Sequence, residues 1–357
     1  MSDTRGPERP VILVTCGDPA GIGPEVVVKA WAATPAHAAA RLRVVVDPAT
    51  LAAAVAGCRG LPPLPHVVVT AGDRRDSRPD ELLVVEPDAA AAQDGGDASP
   101  LATRGRAAAT AVLSAARFVQ SGHADAIVTG PLHKEALHAA GYTVPGHTEL
   151  LARACGLPDD AASMMLWLPA NAGGPGGLGV VHVTLHEPLR AALARLTTGG
   201  IIAAGHRLAS LLEAMLGRRP RIAVAALNPH GGEGGLFGDE EARLVAPAVA
   251  RLRDAAVDAT GPLPADTLFL RAAHGEFDGV VALYHDQGHI PIKLLGMHRA
   301  VNVTLGLPLV RTSVAHGTAL DIAGTGTADP ASMLAAIDAA VRLVASGRVT
   351  AATPATI

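Results

Sequence analysis

The chain has few aromatic residues, no excess of positive charge and no long apolar run. Aromatic residues make up 2% of its 357 residues, which argues against the base-stacking surfaces of proteins that bind single-stranded nucleic acid. Its 29 Lys and Arg against 33 Asp and Glu give a net charge of −4, so no nucleic-acid partner is expected. No stretch reaches the roughly 18 consecutive apolar residues that a membrane-spanning helix needs.

Cysteine is also scarce. Cys16, Cys58 and Cys155 lie far apart and form no CxxC pair, which is typical of reduced thiols in a cytoplasmic protein. The polar start of the sequence carries no apolar signal core, in agreement with that expectation. Apolar residues nevertheless make up 49% of the chain, enough for a large core, and the length allows two lobes.

Short apolar runs alternate with alanine-rich stretches of helical character. The predicted strands are Val11–Thr15, Leu42–Val46, His66–Val69, Ala126–Val128, Gly179–Thr184, Ile222–Leu227 and Gly279–Leu283. The predicted helices are Pro24–Ala33, Thr103–Ser121, Pro188–Thr197, Thr198–Leu216, Glu240–Ala256 and Pro330–Ala345. This alternation indicates an α/β fold with a mostly parallel sheet. Asp73–Pro100 is predicted to be a surface excursion, and Asn171–Leu178 a flexible turn between two strands of a hairpin or edge.

The strand that ends at Leu283 leads into the densest group of polar residues. These are His285, Asp286, Gln287 and Lys293, and Gly288 is predicted to close the loop that carries the first three. A buried strand that ends in polar groups is the usual way in which an α/β enzyme presents its chemistry.

Two more histidines, His186 and His230, also follow apolar, strand-like runs. Together with His285 they could hold one divalent metal ion and leave a coordination position open. The spacing matches no short zinc motif, so satisfied structural histidines remain the alternative. Imidazole ligands suit zinc, cobalt or nickel.

Several residues could bind an anion. His147 and Thr148 open a helix, where free N–H groups favour a phosphate or carboxylate; the alternative is that Thr148 only caps that helix. Lys293, Asn302 and Arg311 would form an anion clamp, although Arg311 alone could be a surface ion-pair residue.

Three loops remain open to more than one interpretation. The turn Thr15–Glu25 lacks the glycine spacing of the dinucleotide fingerprint, and either a structural turn or a ligand contact explains it. His316–Gly324 is a glycine-rich loop in which Asp321 could accept a hydrogen bond from a ribose 2′-hydroxyl, which favours NAD over NADP. Asp266 could ligate a metal through water, orient a base or cap a helix.

Seven motifs, in order along most of the chain, resemble the 4-hydroxythreonine-4-phosphate dehydrogenase family. They are GDPAGIGPE, TGPLHKEAL, GHTELLA, LNPHGGEGG, GPLPADTLF, YHDQGHIPIK and VNVTLGLPLVRTSVAHGTALDIAG. The resemblance implies a three-layer α/β/α, two-lobed fold like that of isocitrate and isopropylmalate dehydrogenases. It implies lobes at 1–145 plus 306–357 and at 146–305, and a homodimer whose active site lies at the dimer interface.

The resemblance also implies a reaction, in which the 3-hydroxyl of 4-(phosphooxy)-L-threonine is oxidised by NAD and the product decarboxylates, in pyridoxine biosynthesis. The implied metal ligands are His186, His230 and His285, one of them from the partner subunit, for zinc, magnesium or cobalt. The implied substrate ligands are His147, Thr148, Lys293, Asn302 and Arg311. Asp266 and Lys293 would take part in catalysis, and His316, Gly317, Thr318 and Asp321 would hold NAD.

Two positions depart from the vitamin B6 enzymes of this family. They usually lack a histidine at the position of His289, and Ala315 stands where they have aspartate. The form HDQGHIP is more similar to a sister branch that includes dehydrogenases of 4-phospho-D-threonate, 4-phospho-D-erythronate and cis-dihydrodiol dicarboxylates. A phosphotransacetylase-like acyltransferase is the alternative of another class, because its lobes have a similar architecture.

Overall fold

The structure is a computed structural model that describes residues 9–58, 60–92, 96–159, 161–170 and 172–347. Strands and helices alternate along these residues, and the chain divides into two compact units. Unit 1 is the described part of Met1–Ala162 and Leu307–Ile357, and unit 2 is that of Ser163–Gly306. No helix of the described residues is long and apolar enough to cross a membrane.

Unit 1 is built on a fully parallel sheet. Its strands are β1 (Val11–Thr15), β2 (Arg41–Val45), β3 (His66–Val68), β4 (Leu82–Val85), β5 (Ala126–Thr129) and β12 (Val310–Val314). Its helices are α1 (Gly23–Ala33), α2 (Pro48–Gly57), α3 (Pro100–Gln120), α4 (Lys134–Ala139), α5 (His147–Ala154) and α11 (Ala331–Ala345). The strand order is β3-β4-β2-β1-β5-β12. Strands β1, β4, β5 and β12 are buried along their whole length, as expected for strands covered on both faces by helices.

Unit 2 has a mixed sheet. Its strands are β6 (Ser163–Leu168), β7 (Leu178–His182), β8 (Arg221–Ala225), β9 (Asp258–Leu263), β10 (Gly279–Ala282) and β11 (Val301–Leu305). Its helices are α6 (Leu189–Arg195), α7 (Thr198–Leu216), α8 (Ala246–Asp254), α9 (Ala265–Ala273) and α10 (His285–Gly296). The order is β11-β6-β7-β10-β8-β9, with β6 antiparallel to both neighbours and β7, β10, β8 and β9 parallel. The α/β fold class is confirmed, as is the predicted hairpin between β6 and β7, although Asn171 lies outside the described residues.

Two predictions from the sequence are wrong. The supposed surface excursion Asp73–Pro100 contains β4, whose four residues are all buried. The Asp, Ala and Gly around that short apolar run dominate the composition of the segment and hide the strand. The loop expected after Leu283 is a helix, α10, which begins at His285. Gly288 and Pro291 resemble helix breakers, yet both lie inside α10.

The unit boundary falls within the chain near residue 162. The sequence places 146–162 in the second lobe, whereas α5 in this segment packs against α3 and falls in unit 1. His147 and Thr148 therefore belong to the same unit as Arg311.

Candidate active site

The carboxyl ends of β7, β10 and β8 meet at one edge of the unit 2 sheet, because these strands are parallel neighbours. Gln287 holds two of these ends together. Its Oε1 accepts a hydrogen bond from the N–H of Leu283 at 2.7 Å, and its Nε2 donates to the carbonyl of Ala226 at 2.7 Å. The first turn of α10 is thereby fixed to the segments that leave β10 and β8.

Four histidines cluster at this edge of the sheet. The rings of His285 and His289 stack with centroids 3.8 Å apart and planes 10° apart. His186 lies 5.7 Å from His285, and His182 lies 4.6 Å from His289, both between ring centroids. His285 Nδ1 is 2.7 Å from Asp286 Oδ1, a contact that leaves Nε2 as the ring nitrogen for a ligand.

Burial keeps two of these rings neutral. Desolvation, with the neighbouring His285, lowers the pKa of His289 to about 4. Desolvation, then the charges of His289 and the other histidines, holds the pKa of His182 well below its usual value. Imidazole nitrogens are common ligands of divalent cations, so the donors that His186 and His285 supply to this cluster fit such an ion.

The third predicted metal ligand, His230, lies apart from His186 and His285. It is exposed, and the Phe237 ring lies 6.5 Å from its own. Across the described residues, no group of three or more His, Cys, Asp or Glu is placed to hold a metal ion. One chain therefore brings together two of the three predicted histidines.

The loop that carries His230 has an unusual backbone. His230 and Glu233 have φ angles of 55° and 44°, in the left-handed region that non-glycine residues seldom adopt. Glu241 anchors the start of this loop, since its Oε1 accepts from the N–H groups of Leu227 at 2.8 Å and Asn228 at 2.7 Å. A strained conformation held by a buried carboxylate is typical of a functional loop.

The other predicted residues of unit 2 lie on three elements. Asp266 is exposed in the first turn of α9, whose N-cap position is Pro264, so capping does not explain it. Lys293 is exposed on α10, one turn after His289. Asn302 lies in β11, and its Oδ1 is buried with no hydrogen-bond partner among the described residues. An unsatisfied buried oxygen of this kind is a candidate ligand contact.

Unit 1 contains a buried cation beside the start of α5. Arg311 is 4% exposed, and its Nε and Nη2 donate to Thr129 Oγ1 at 3.1 and 2.7 Å. Burial lowers the pKa of Arg311 to about 10, with Glu149 acting in the opposite direction, so the guanidinium is charged at neutral pH. Arg311 is thus a buried residue, and the surface ion-pair alternative is wrong.

His147 is the first residue of α5 and completes this arrangement. Burial, and secondarily the charge of Arg311, hold its pKa well below the usual value. Its Nε2 is buried with no hydrogen-bond partner among the described residues. Gly146 is the N-cap, so Thr148 is the second residue of the helix and not its cap. A buried cation, an unsatisfied ring nitrogen and a helix N-terminus all favour an anion.

The glycine-rich turn before α1 has a structural role. The N–H of Ile22 donates to the carbonyl of Thr318 at 2.9 Å, and a Cβ on Gly21 would lie 2.8 Å from that oxygen. A Cβ on Gly17 would collide with the carbonyl of Pro131. The turn therefore packs against the backbone of the loop that follows β12, as the structural alternative predicted.

Helix α1 also fixes the far end of that loop. Glu25 accepts from the N–H of Ala328 at 2.7 Å, and Lys29 Nζ donates to the carbonyls of Gly326 and Ala328, each at 2.8 Å. Of the predicted NAD residues, Gly317 and Asp321 are exposed and His316 and Thr318 are partly exposed. The Nε2 of His316 is buried without a hydrogen-bond partner in the described part of the chain.

Sequence reasoning missed four residues of these sites. Thr129 and Glu25 lie in quoted motifs and Lys29 lies in the predicted helix Pro24–Ala33, but all three show their contacts only in the structure. His182 stands alone in an apolar strand, where a histidine is usually a structural residue. The available signal was its position four residues before His186.

Comparisons with known proteins identify the class. A 4-hydroxythreonine-4-phosphate dehydrogenase from Geobacter metallireducens is 44% identical over 330 residues, 92% of this chain and 94% of that protein. A D-threonate 4-phosphate dehydrogenase from Cupriavidus necator is 44% identical over 333 residues, 92% of this chain and 95% of that protein. The structure resembles that of a 4-hydroxythreonine-4-phosphate dehydrogenase from Klebsiella pneumoniae, with a TM-score of 0.78, 40% identity and coverage of 94% and 99% of the two chains. The chain is a dehydrogenase with an α/β fold.

The family follows from a match over most of the sequence. Residues 39–340 fit the family described as pyridoxal phosphate biosynthetic protein PdxA. The chain belongs to the PdxA family, which confirms the resemblance found in its motifs.

Proposed function

We propose that this chain oxidises the 3-hydroxyl of 4-(phosphooxy)-L-threonine with NAD and a divalent metal ion, with decarboxylation of the β-keto acid, in pyridoxine biosynthesis. The observation that carries the proposal is the buried Arg311 beside His147 at the start of α5, because this arrangement fits a phosphate or carboxylate. Family membership supports the reaction class.

The metal ion would be held by His186 and His285 of one chain and His230 of the partner subunit. Bound there, zinc, magnesium or cobalt would act as a Lewis acid that lowers the pKa of the substrate hydroxyl and stabilises the charge that develops during decarboxylation. Asp286 would keep His285 oriented through the contact to Nδ1. Asp266, exposed at the start of α9, would move a proton to or from the site.

The remaining residues would bind the substrate and NAD. Arg311, His147 and Thr148 would hold an anionic group of the substrate, and Lys293 and Asn302 are proposed as further substrate ligands. His316, Gly317, Thr318 and Asp321 would bind NAD, with Asp321 repelling a 2′-phosphate. Leu320 and Ile322 are exposed on either side of Asp321, which supports contact of this loop with a planar base.

A homodimer is supported by the surface of unit 2. Leu236, Leu270 and Leu294 are 73%, 63% and 83% exposed, and α9 packs against both α10 and the His230 loop. Exposed apolar side chains on neighbouring elements are typical of a protein interface. Because His230 lies in that loop, a partner subunit bound at this surface would have the His230 side chain of this chain beside it. The three free cysteines, two of them buried, support a cytoplasmic location.

A sister-branch activity is the second candidate. The relative from Cupriavidus necator, a D-threonate 4-phosphate dehydrogenase, is 44% identical to this chain, as is the relative from Geobacter metallireducens. In addition, the ring of His289 stacks directly on that of His285, a proposed metal ligand. The substrate would then be 4-phospho-D-threonate, 4-phospho-D-erythronate or a cis-dihydrodiol dicarboxylate. The acyltransferase alternative loses its support, because the relatives that match most of the chain are dehydrogenases.

The test is NADH formation with added metal and each of the four candidate substrates. Turnover of 4-(phosphooxy)-L-threonine, the one candidate with an amino group, supports the proposal. Turnover of one or more of the other three candidates alone assigns the chain to the sister branch. Failure of all four substrates would overturn the substrate class.

Mixed dimers test the shared metal site. His230→Ala and His285→Ala chains are each expected to be inactive alone. If His230 acts in the partner's site, random mixing of the two variants restores about a quarter of the wild-type activity, because half of the dimers are mixed and each has one intact site. No recovery on mixing would contradict the assignment of His230 to the partner.

A further inference from the structure

Two histidines of the unit 2 cluster have no role in the proposed reaction. We infer that His289 and His182 are positioning residues that hold the His285 ring in the orientation a metal ion requires. The inference rests on the proposed metal site and adds the residues that would set its affinity. It is carried by a stack and a contact that together connect three buried or half-buried imidazoles.

The ring of His289 stacks on the ring of His285. His289 lies one turn later on α10, and its ring is nearly parallel to that of His285 at 3.8 Å. His285 Nδ1 also contacts Asp286 Oδ1 at 2.7 Å. The carboxylate fixes which nitrogen carries the proton, whereas the stack fixes the plane of the ring. A metal ligand needs both constraints, since its lone pair must point at the ion.

His289 is itself held in place by contacts of its Nδ1 atom. Its Nδ1 lies 3.1 Å from His182 Nε2 and 3.2 Å from the carbonyl of His285. A proton on His289 Nδ1 satisfies both contacts, because the carbonyl can only accept. His182 then accepts through Nε2 and carries its own proton on Nδ1.

That arrangement has a cost. His182 is 3% exposed, and its Nδ1 has no hydrogen-bond partner among the described residues. A buried donor without a hydrogen-bond partner destabilises the folded protein. Such a cost is tolerated where the group serves a function, which favours a role for His182 beyond filling space.

The imidazole of His182 fits against α10 only because residue 288 is a glycine. A Cβ on Gly288 would collide with His182 Nε2 and lie 2.8 Å from Val180 Cγ1. Gly288 therefore lets the first turn of α10 rest directly on the imidazole of His182. The strand β7, through His182, supports the helix that carries both His285 and His289.

Metal binding by the full-length protein tests the inference. The probe is Co²⁺, with affinity measured by calorimetry and ligand geometry by the visible spectrum of the bound ion. His289→Ala is expected to weaken Co²⁺ binding by about 10- to 100-fold, the usual effect of removing a residue that orients a metal ligand. The cobalt spectrum should change as well. His289→Phe keeps a ring for the stack but loses the contact with His182, so an intermediate affinity is expected.

The matched control is His206→Ala, which removes an exposed histidine of α7 in the same unit. It should leave both affinity and spectrum unchanged. A purely structural role for His289 predicts a lower Tm with an unchanged Co²⁺ affinity, and that result would overturn the inference. His289→Phe, which retains the buried volume, decides the matter if His289→Ala does not fold.

The failure of the metal site itself gives a different result. If the wild-type protein binds no divalent ion, the proposed metal site and this inference both fall. If the wild type binds Co²⁺ and the His289→Ala and His289→Phe proteins bind it equally well, only the positioning role falls.

Discussion

If the loop after β12 binds NAD as proposed, its contact with α1 predicts a specific effect on NAD affinity. Lys29 Nζ donates to Glu25 and to the carbonyls of Gly326 and Ala328, each at 2.8 Å. Lys29→Met removes the donor and keeps most of the side-chain volume, so the loop loses an anchor while α1 keeps its packing.

The size of the effect follows from the burial of Lys29. A hydrogen bond to a charged group contributes about 1.5–3 kcal/mol, and the Lys29 side chain is only 17% exposed. Because Glu25 still accepts from the N–H of Ala328, part of the anchoring remains. We expect a net loss of about 1.5 kcal/mol, which is roughly a tenfold increase in the Kd for NAD.

Calorimetry with NAD measures this Kd directly. Arg342→Met is the matched control, since Arg342 and Asp338 form an i,i+4 pair on α11 of the same unit, with the arginine 58% exposed. The control should bind NAD as the wild type does. A Lys29→Met protein that is folded and has the wild-type Kd would refute the idea that α1 anchors the coenzyme loop.

Two further predictions concern a charged group in each of the two units. Asp278→Asn should lower the free energy of unfolding by about 1.5–3 kcal/mol near neutral pH, because the buried carboxylate loses its charge-assisted hydrogen bonds to two half-exposed arginines. Burial raises the pKa of Asp278, but hydrogen bonds from Arg218 and Arg221 outweigh burial and hold this pKa well below its usual value. The stabilisation is therefore present above the unfolded pKa and is lost as the pH falls through the folded pKa. In urea unfolding, the free energies of unfolding of the wild type and Asp278→Asn should therefore converge as the pH falls below about 4. A difference that does not change with pH would contradict this prediction. The control is Glu276→Gln, which removes one partner of an exposed ion pair. Arg311→Lys should lower kcat/KM by about 10- to 100-fold, because an ammonium group cannot reproduce the two-pronged contact of a guanidinium. An unchanged kcat/KM in steady-state kinetics would show that Arg311 does not bind the substrate.

The sequence predicted the sheets better than the connections between strands. Buried parallel strands are short apolar runs, and Val11–Thr15 and Gly279–Ala282 were found almost to the residue. Helix α10 was missed because Gly288 and Pro291 disfavour a helix locally. The tertiary contact of Gly288 with His182 explains why glycine stands there, and no local rule could reveal it.

The candidate residues were predictable by type but not by contact. His285 and Arg311 stand at strand ends or in strands of recognisable motifs, so their chemistry was visible. That Arg311 is buried against Thr129 depends on the pairing of β12 with β5, which are far apart in sequence. The separation of His230 from His186 within one chain was equally hidden, because spacing along the chain does not reveal which residues meet in the fold.

Strands β8 and β10 show how stability and function are separated in unit 2. At their amino ends Asp278 accepts hydrogen bonds from Arg218 at 2.7 Å and from the backbone N–H of Arg221 at 2.8 Å. At their carboxyl ends Gln287 joins the segments that lead to His285 and His230. Because the strands are parallel, the two groups lie at opposite edges of the sheet. Asp278→Asn should therefore lower Tm while leaving Co²⁺ affinity unchanged, and His289→Phe should do the reverse. If His289→Phe instead lowered Tm and left the Co²⁺ affinity unchanged, His289 would serve stability alone and its positioning role would be wrong.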